Sequence, residues 1–338
     1  MKIAIITDSW HPLTNGVVTT LDRMVPGLTA RGHQVEVFNP LLFKTVPLPT
    51  YPEIRLAVLP YRRLAAMLDA YRPDAVHIVI EGPLGVAGRA YCRRRHLPFT
   101  SSFTTRFPED VELRTKVIPA SWVYRWERWF HDAAAATTVA VPSLMAELTD
   151  RGFKNLVYWT RGVDPELFAP GPKDALDAPR PVNLYMGRIA VEKNLEAFLD
   201  LDLPGSKVLI GDGPDLPALK RRYPEAIFLG RKTGADLAAH LRAADVYVFP
   251  STTDTFGISM LEAMACGVPV AAFDAVGPRD LVVHGKTGWL DHDLGRAVAR
   301  ALTMDPAACR AHALGYTWRR SLDQLESLLV PIHRRSGV

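Results

Sequence analysis

Short, almost wholly apolar runs recur along the chain, and each gap between them is wide enough for a helix. One series covers residues 2–8 (KIAIITD), 34–38 (QVEVF), 75–80 (AVHIVI), 98–103 (PFTSSF) and 138–143 (TVAVPS). A second covers 182–188 (VNLYMGR), 207–213 (KVLIGDG), 226–230 (AIFLG), 245–251 (DVYVFPS) and 268–273 (VPVAAF). Most are β-rich, the pattern of strands covered on both faces. Helical stretches are expected at 17–30, 61–71, 83–95 and 121–136, then at 195–200, 215–223, 234–243 and 258–265, with a last one at 318–332. Strand–helix alternation predicts parallel sheets joined by right-handed crossovers. Two such series predict an α/β chain of two doubly wound domains. Ligands of such sheets sit beyond the C-terminal strand ends, so a cleft between the domains is the expected site.

The stretch 162–181 (GVDPELFAPGPKDALDAPRP) is rich in Pro, Gly and Asp and reads as a break. The expected division is a first domain at 1–165, a linker at 166–181 and a second domain at 182–310. Residues 311–338 would carry a helix that packs back on the first domain. With 338 residues, 48% of them apolar, each domain can bury its own core. No apolar stretch reaches the roughly 18 residues of a membrane span, and the opening MKIAIITD reads as a strand rather than a signal peptide. Cys92, Cys266 and Cys309 are scattered, which fits a reducing cytoplasm. Residues 1–165 carry 20 Lys and Arg against 15 Asp and Glu, whereas 166–338 carry 20 against 21, so the halves stand at +5 and −1. A basic first half favours anionic ligands or an anionic membrane face, although ordinary solvated faces often carry such an excess. No nucleic-acid partner is expected.

The chemistry concentrates in residues 251–270, STTDTFGISMLEAMACGVPV. Asp254 would lie in the loop after a strand. Phe256, Gly257, Ile258 and Ser259 would open the following helix, whose unpaired amides and dipole suit a diphosphate or a sugar hydroxyl. Glu262 falls within about one turn of that helix start, among apolar neighbours that make an unliganded carboxylate costly. The plain alternative is a capping Asp254 and a surface Glu262.

This stretch resembles the signature of retaining glycosyltransferases of the two-Rossmann-domain type (GT-B), family 4, in which two glutamates with seven residues between them grip the donor. The resemblance implies that Asp254 holds sugar hydroxyls and Glu262 the ribose. Asp in place of the usual Glu shortens the reach by one methylene. The likeness runs along most of the chain. GRIAVEKN (187–194) is similar to the family's phosphate-binding segment, which would set Arg188 and Lys193 against a departing diphosphate. GDGP (211–214) lacks a third glycine and is weak as a dinucleotide motif, but by resemblance Gly211 and Asp212 lie beside the nucleotide. In HPLTNGVVTT (11–20), Gly16 would let backbone approach the diphosphate, with Asn15 where relatives often have a first glycine. The main departure is Thr104, in FTSSFTTRFPED (99–110), where many relatives have a His that contacts the sugar. A hydroxyl can donate a hydrogen bond but cannot hold a proton near neutral pH. Arg106, nearby, is either an anion ligand or a surface residue.

The resemblance thus implies a retaining hexosyltransferase. It takes a nucleotide-diphosphate sugar as substrate, UDP-linked by preference with GDP-mannose as the alternative, and transfers to a lipid such as diacylglycerol or to a soluble acceptor. No cofactor is expected. Asp200/Asp202 and Asp291/Asp293 match a metal motif of another glycosyltransferase fold by chance, and no Cys/His cluster offers a zinc site. In SWVYRWERWF (121–130), Trp122, Trp126 and Trp129 with Arg125 read either as core packing or as a membrane-surface helix, so the enzyme would be cytoplasmic, peripheral on the inner membrane face. The rival readings are a donor-binding protein or weak sugar-nucleotide hydrolase, motivated by Thr104, and a nicotinamide oxidoreductase, which the glycines disfavour.

Overall fold

The computed structural model describes residues 1–13, 15–48, 51–115 and 117–332. It divides into two compact units, one formed by Met1–Thr160 with Ser321–Val338 and the other by Arg161–Arg320.

In the first unit the strands are β1 (Lys2–Ile6), β2 (Gln34–Phe38), β3 (Thr45–Leu48), β4 (Tyr51–Ala57), β5 (Ala75–Ile78), β6 (Thr100–Phe103), β7 (Ala136–Val139) and β8 (Leu156–Tyr158). Six form a parallel sheet in the order β2-β1-β5-β6-β7-β8, while β3 and β4 pair apart as an antiparallel hairpin. Alternation along β1 sends Ile3 and Ile5 into one core and Ala4 and Ile6 into another, so the sheet is covered on both faces. One cover is the helix Gly16–Ala30, joined on the same side by Leu322, Leu325 and Leu329 from the end of the chain. Leu322 sits where a side chain on Gly27 would go. The indole of Trp159 donates to the Ser321 carbonyl at 2.9 Å, and Arg31 and His33 reach Glu326 at 2.8 Å.

The second unit holds β9 (Val182–Met186), β10 (Ser206–Ile210), β11 (Ile227–Phe228), β12 (Val246–Phe249), β13 (Val270–Ala272) and β14 (Gly288–Leu290). All are parallel, in the order β11-β10-β9-β12-β13-β14. Its core is built on Tyr185, Leu209, Val246, Val248 and Ala271.

The borders differ from those expected. Residues 166–181 are not a free linker, because Lys173 and Arg180 pair with Asp245 at 3.1 and 2.6 Å. The Arg310 guanidinium caps the carbonyls of Pro165, Phe168 and Ala265. Residues 161–181 and 311–320 fall in the second unit, where His312 also bonds the Leu281 carbonyl at 2.8 Å, and only the part of the final helix (Trp318–Leu328) from Ser321 onward belongs to the first. The last six residues of the segment 311–338 lie outside the described residues. The helix expected at 121–136 is Ala120–His131 and stops before β7 begins at Ala136.

Candidate functional site

In a doubly wound sheet the strand order reverses at one point, and the loops on either side of it diverge to leave room for a ligand. In the second unit that point lies between β9 and β12. Arg188 follows β9, and Lys193 ends the short 3-10 turn Val191–Lys193. Asp254 follows β12. The Lys193 ammonium donates to both Asp254 oxygens, at 2.7 and 2.9 Å, with each side chain 21% exposed. The two loops are stitched by side chains to backbone: Asn194 Nδ2 donates to the Pro250 carbonyl at 3.2 Å and Thr253 Oγ1 to the Glu192 carbonyl at 3.2 Å.

Glu262 is half-buried on the helix Ile258–Ala265, whose Met260, Leu261, Ala263, Met264 and Ala265 are fully buried. Gly257 occupies the N-cap with φ 81° and can supply no capping side chain. A Cβ there would come within 2.5 Å of Met260 Cε and 3.2 Å of the Phe249 ring. Ile258 and Ser259 are half-buried at the helix start. The ring of Phe256 is in the core, so a donor contact from this residue could come only from its backbone.

Tyr247, inside an apolar strand and unmarked in the sequence, ties these parts together. Its hydroxyl donates to the Met186 carbonyl at 2.8 Å, just before Gly187 and Arg188, and Ser259 hydrogen-bonds it. Burial, aided by the charges of Glu262 and Asp254, pushes that hydroxyl well above its ordinary pKa. The Tyr185 hydroxyl donates to the Arg188 carbonyl at 2.9 Å.

Gly211 and Gly213 have a packing reason that the sequence did not show. A Cβ on Gly211 would stand 1.8 Å from the Gly187 carbonyl oxygen, and one on Gly213 2.2 Å from the Ile189 oxygen. Their loop lies directly on the Arg188 loop, with Ile189 N–H donating to the Asp212 carbonyl at 2.9 Å. The exposed Asp212 carboxylate accepts from the Gly213 amide at 2.8 Å.

Asn15, Gly16 and Thr104 belong to the first unit. Asn15 is the N-cap of Gly16–Ala30 in extended backbone; its Oδ1 accepts from the Val17 and Val18 amides at 3.1 and 3.0 Å. The backbone at Asn15 needs no glycine-like angles, and the side chain serves as a cap. An added Cβ on Gly16 would meet nothing within 4 Å. Thr14, in the same loop, lies outside the described residues. Thr104 follows β6, half-buried, with Oγ1 donating to the Val79 carbonyl at 3.4 Å. Arg106 is not a free anion ligand: its guanidinium grips Glu147 at 3.0 Å and Glu109 at 2.7 Å, and is 10% exposed. Near them, the buried pair Glu81–His131 (2.9 Å) and the fully buried Glu127 were not singled out by the sequence.

Among the described residues no group of three or more His, Cys, Asp or Glu could hold a metal ion. Asp200 accepts from the Tyr223 hydroxyl, Asp291 binds Arg296 at 2.6 Å, and Asp293 caps the helix Leu294–Ala301.

Comparison with known proteins agrees with this architecture. Residues 14–167 match the family model described as Glycosyltransferase Family 4, and residues 180–304 the model described as Glycosyl transferases group 1. A GDP-mannose-dependent alpha-mannosyltransferase of Mycolicibacterium smegmatis is 32% identical over 320 residues, covering 86% of this chain and 84% of the relative. An alpha-monoglucosyldiacylglycerol synthase of Streptococcus pneumoniae is 24% identical, covering 90% and 79%. The structure of Anabaena HepE in complex with UDP and glucose superposes with a TM-score of 0.70 at 17% identity, covering 97% and 99%. The chain belongs to the family 4 glycosyltransferases of the GT-B fold. It is a glycosyltransferase that uses a nucleotide sugar.

Proposed function

We propose that the protein is a retaining hexosyltransferase that works without a metal ion and transfers to the hydroxyl of a lipid acceptor such as diacylglycerol. The observation that carries this is the Lys193–Asp254 pair at the β9/β12 reversal, with Glu262 one turn into the helix that follows. Charge and position fit the parts of a sugar nucleotide. Arg188 and Lys193 face the diphosphate, Asp254 accepts from sugar hydroxyls, and Glu262 accepts from the ribose diol. Breaking the bond from sugar C1 to the phosphate oxygen leaves negative charge on the diphosphate. Preorganised cations stabilise that charge most strongly in the transition state, worth several kcal/mol each on the order of measured oxyanion donors. The acceptor oxygen bonds to C1 on the face the diphosphate leaves, and its proton passes to a phosphate oxygen. No side chain has to act as nucleophile, so Thr104 in place of His removes a contact and spares the step.

GDP-mannose is the first donor to test because several relatives are named for it; a UDP-sugar, which the resemblance favours, is the second, with UDP-glucose as the probe. The lipid acceptor rests on the relatives named for diacylglycerol. A second reading, a donor-binding protein or weak hydrolase, is favoured by Thr104 alone. Both are tested by supplying each donor with diacylglycerol vesicles, a soluble glycoside or no acceptor, with and without EDTA, and assigning the product anomer by NMR. Acceptor-dependent nucleotide release, an α-linked glycolipid from an α-linked donor, and indifference to EDTA are expected. Release unaffected by any acceptor would leave hydrolysis, and an inverted product would refute retention.

A further inference from the structure

The amphipathic helix Ala120–His131 turns its faces the opposite way from ordinary core packing. Tyr124, Glu127, Phe130 and His131 are buried, whereas Trp122, Trp126 and Trp129 are 67%, 36% and 49% exposed. The exposed apolar surface continues backwards along the chain through Ile118, Val117 (82% exposed) and Leu113, and Phe107 lies against Trp126 with ring centroids 6.4 Å apart. This stretch, 107–129, holds 7 of the 15 large apolar side chains left exposed among the described residues. Scattered exposed apolar residues need no explanation, but a run of them with three indoles does.

Arginines flank the tryptophan end of this face, while Glu112, exposed, stands at its Leu113 end and accepts from the Ala120 amide at 3.4 Å. Arg125 stands between Trp122 and Trp126, and the three line an open concavity of about 500 Å³. Arg89, from the neighbouring helix Pro83–Arg94, stacks on the Trp129 ring at 3.7 Å and donates to the Trp129 carbonyl at 2.8 Å. Arg93, Arg94 and Arg95 follow, all exposed; Arg94 lies over the Tyr61 ring and Arg95 pairs with Asp69 at 2.6 Å. The one acid in Ala120–His131, Glu127, is buried, and burial holds its carboxyl well above the ordinary range.

We propose that this face, formed by Leu113, Val117, Ile118, Trp122, Trp126 and Trp129 with the flanking arginines, seats the first unit on an anionic phospholipid bilayer, with Arg125 and its two indoles taking a lipid phosphate. Indole rings favour the headgroup level, where one edge is apolar and the other wet. Basic side chains beside them are drawn to the negative surface. A second copy of the chain is a poor occupant, since a symmetric contact would set this arginine-rich face against itself. The inference goes beyond the transfer reaction proposed above and needs neither donor nor acceptor to be tested.

The test is co-sedimentation of the full chain with vesicles of phosphatidylcholine alone or mixed equally with phosphatidylglycerol, at low and high salt. Binding to the mixed vesicles only, weakened by salt, is expected. Trp122→Ser and Arg125→Glu, both at exposed positions, should each lower that binding about tenfold or more at unchanged melting temperature. Bromine-labelled lipids should quench the tryptophan fluorescence of the unaltered protein, a readout that depends on no variant. Absence of vesicle binding, equal binding to both vesicle types, binding unchanged in both variants, or a dimer in solution that Trp122→Ser dissociates would each overturn it.

Discussion

Lys193 and Asp254 lie 61 residues apart in the chain, on loops that follow different strands, yet the Lys193 ammonium donates to both Asp254 oxygens at 2.7 and 2.9 Å. A cation and an anion so paired are both positioned before any ligand arrives, which is what transition-state stabilisation requires of fixed charges. Removing the cation should act on turnover more than on folding. Lys193→Ala is expected to cut kcat by about 10²–10³ with a small change in melting temperature, measured by donor turnover and thermal unfolding. Normal turnover would remove Lys193 from the chemistry.

Glu262 is half-buried on a helix whose other side chains from Met260 to Ala265 are in the core. Glu262→Ala takes away an acceptor for hydroxyl donors of the nucleotide. A hydrogen bond to a charged group is worth about 1.5–3 kcal/mol, so nucleotide affinity should fall roughly 10- to 100-fold. Calorimetric titration with GDP and UDP checks this, and unchanged affinity would refute the ribose assignment.

Two glycines should separate folding from binding. Gly211→Ala drives a Cβ to 1.8 Å from the Gly187 carbonyl, backbone against backbone, and should lower the melting temperature by several degrees. Gly16→Ala meets no protein atom within 4 Å and should leave it unchanged. If Gly16→Ala weakens donor binding at unchanged stability, the ligand passes close to that backbone; if it does neither, the glycine is incidental.

Both Glu127 oxygens are buried without a hydrogen-bond partner. Burial, with the charges of Glu81, Glu109 and Asp110, raises its native pKa well above the ordinary carboxylate range. The native state therefore keeps this proton after the unfolded state has lost it. Between the unfolded and native values, stability falls as pH rises, at about 1.4 kcal/mol per pH unit. Glu127→Gln removes that slope. Its melting temperature should exceed the parent's at pH 8, with the advantage shrinking towards pH 4. An advantage independent of pH would contradict the assigned protonation.

Thr104→His supplies the residue that the resemblance implies, at a half-buried position that donates a long hydrogen bond, 3.4 Å, to the Val79 carbonyl. Transfer should rise or hold, by the same turnover assay. A complete loss in a folded variant would mean that this loop has been rebuilt for another role.

Much of this was legible in the sequence, for a physical reason. Strands buried on both faces must be nearly all apolar, so β1, β9, β10 and β12 stand out. The three-residue edge strands β8 and β14, with half-buried residues, carry little pattern and went unread. Asp254 and Glu262 drew notice because polar groups inside apolar surroundings call for an explanation. Tyr247 did not, because its ring fits an apolar strand and only its hydroxyl has the connecting role. Gly211 drew notice as a nucleotide glycine, whereas its backbone contact with Gly187 appears only in three dimensions. The tryptophans of 121–130 alternate with a second aromatic set, and nothing in the spacing says which set faces inward; Tyr124 and Phe130 do.

The central claim is that the second unit holds the nucleotide sugar at Arg188, Lys193, Asp254 and Glu262. Equilibrium titration of GDP-mannose and UDP-glucose into the parent protein, Arg188→Ala and Glu262→Ala tests it most directly. Saturable binding of one donor, weakened at least tenfold in both variants, is the expected result. Equal affinity in all three proteins, or no binding of either donor to the parent, would contradict it.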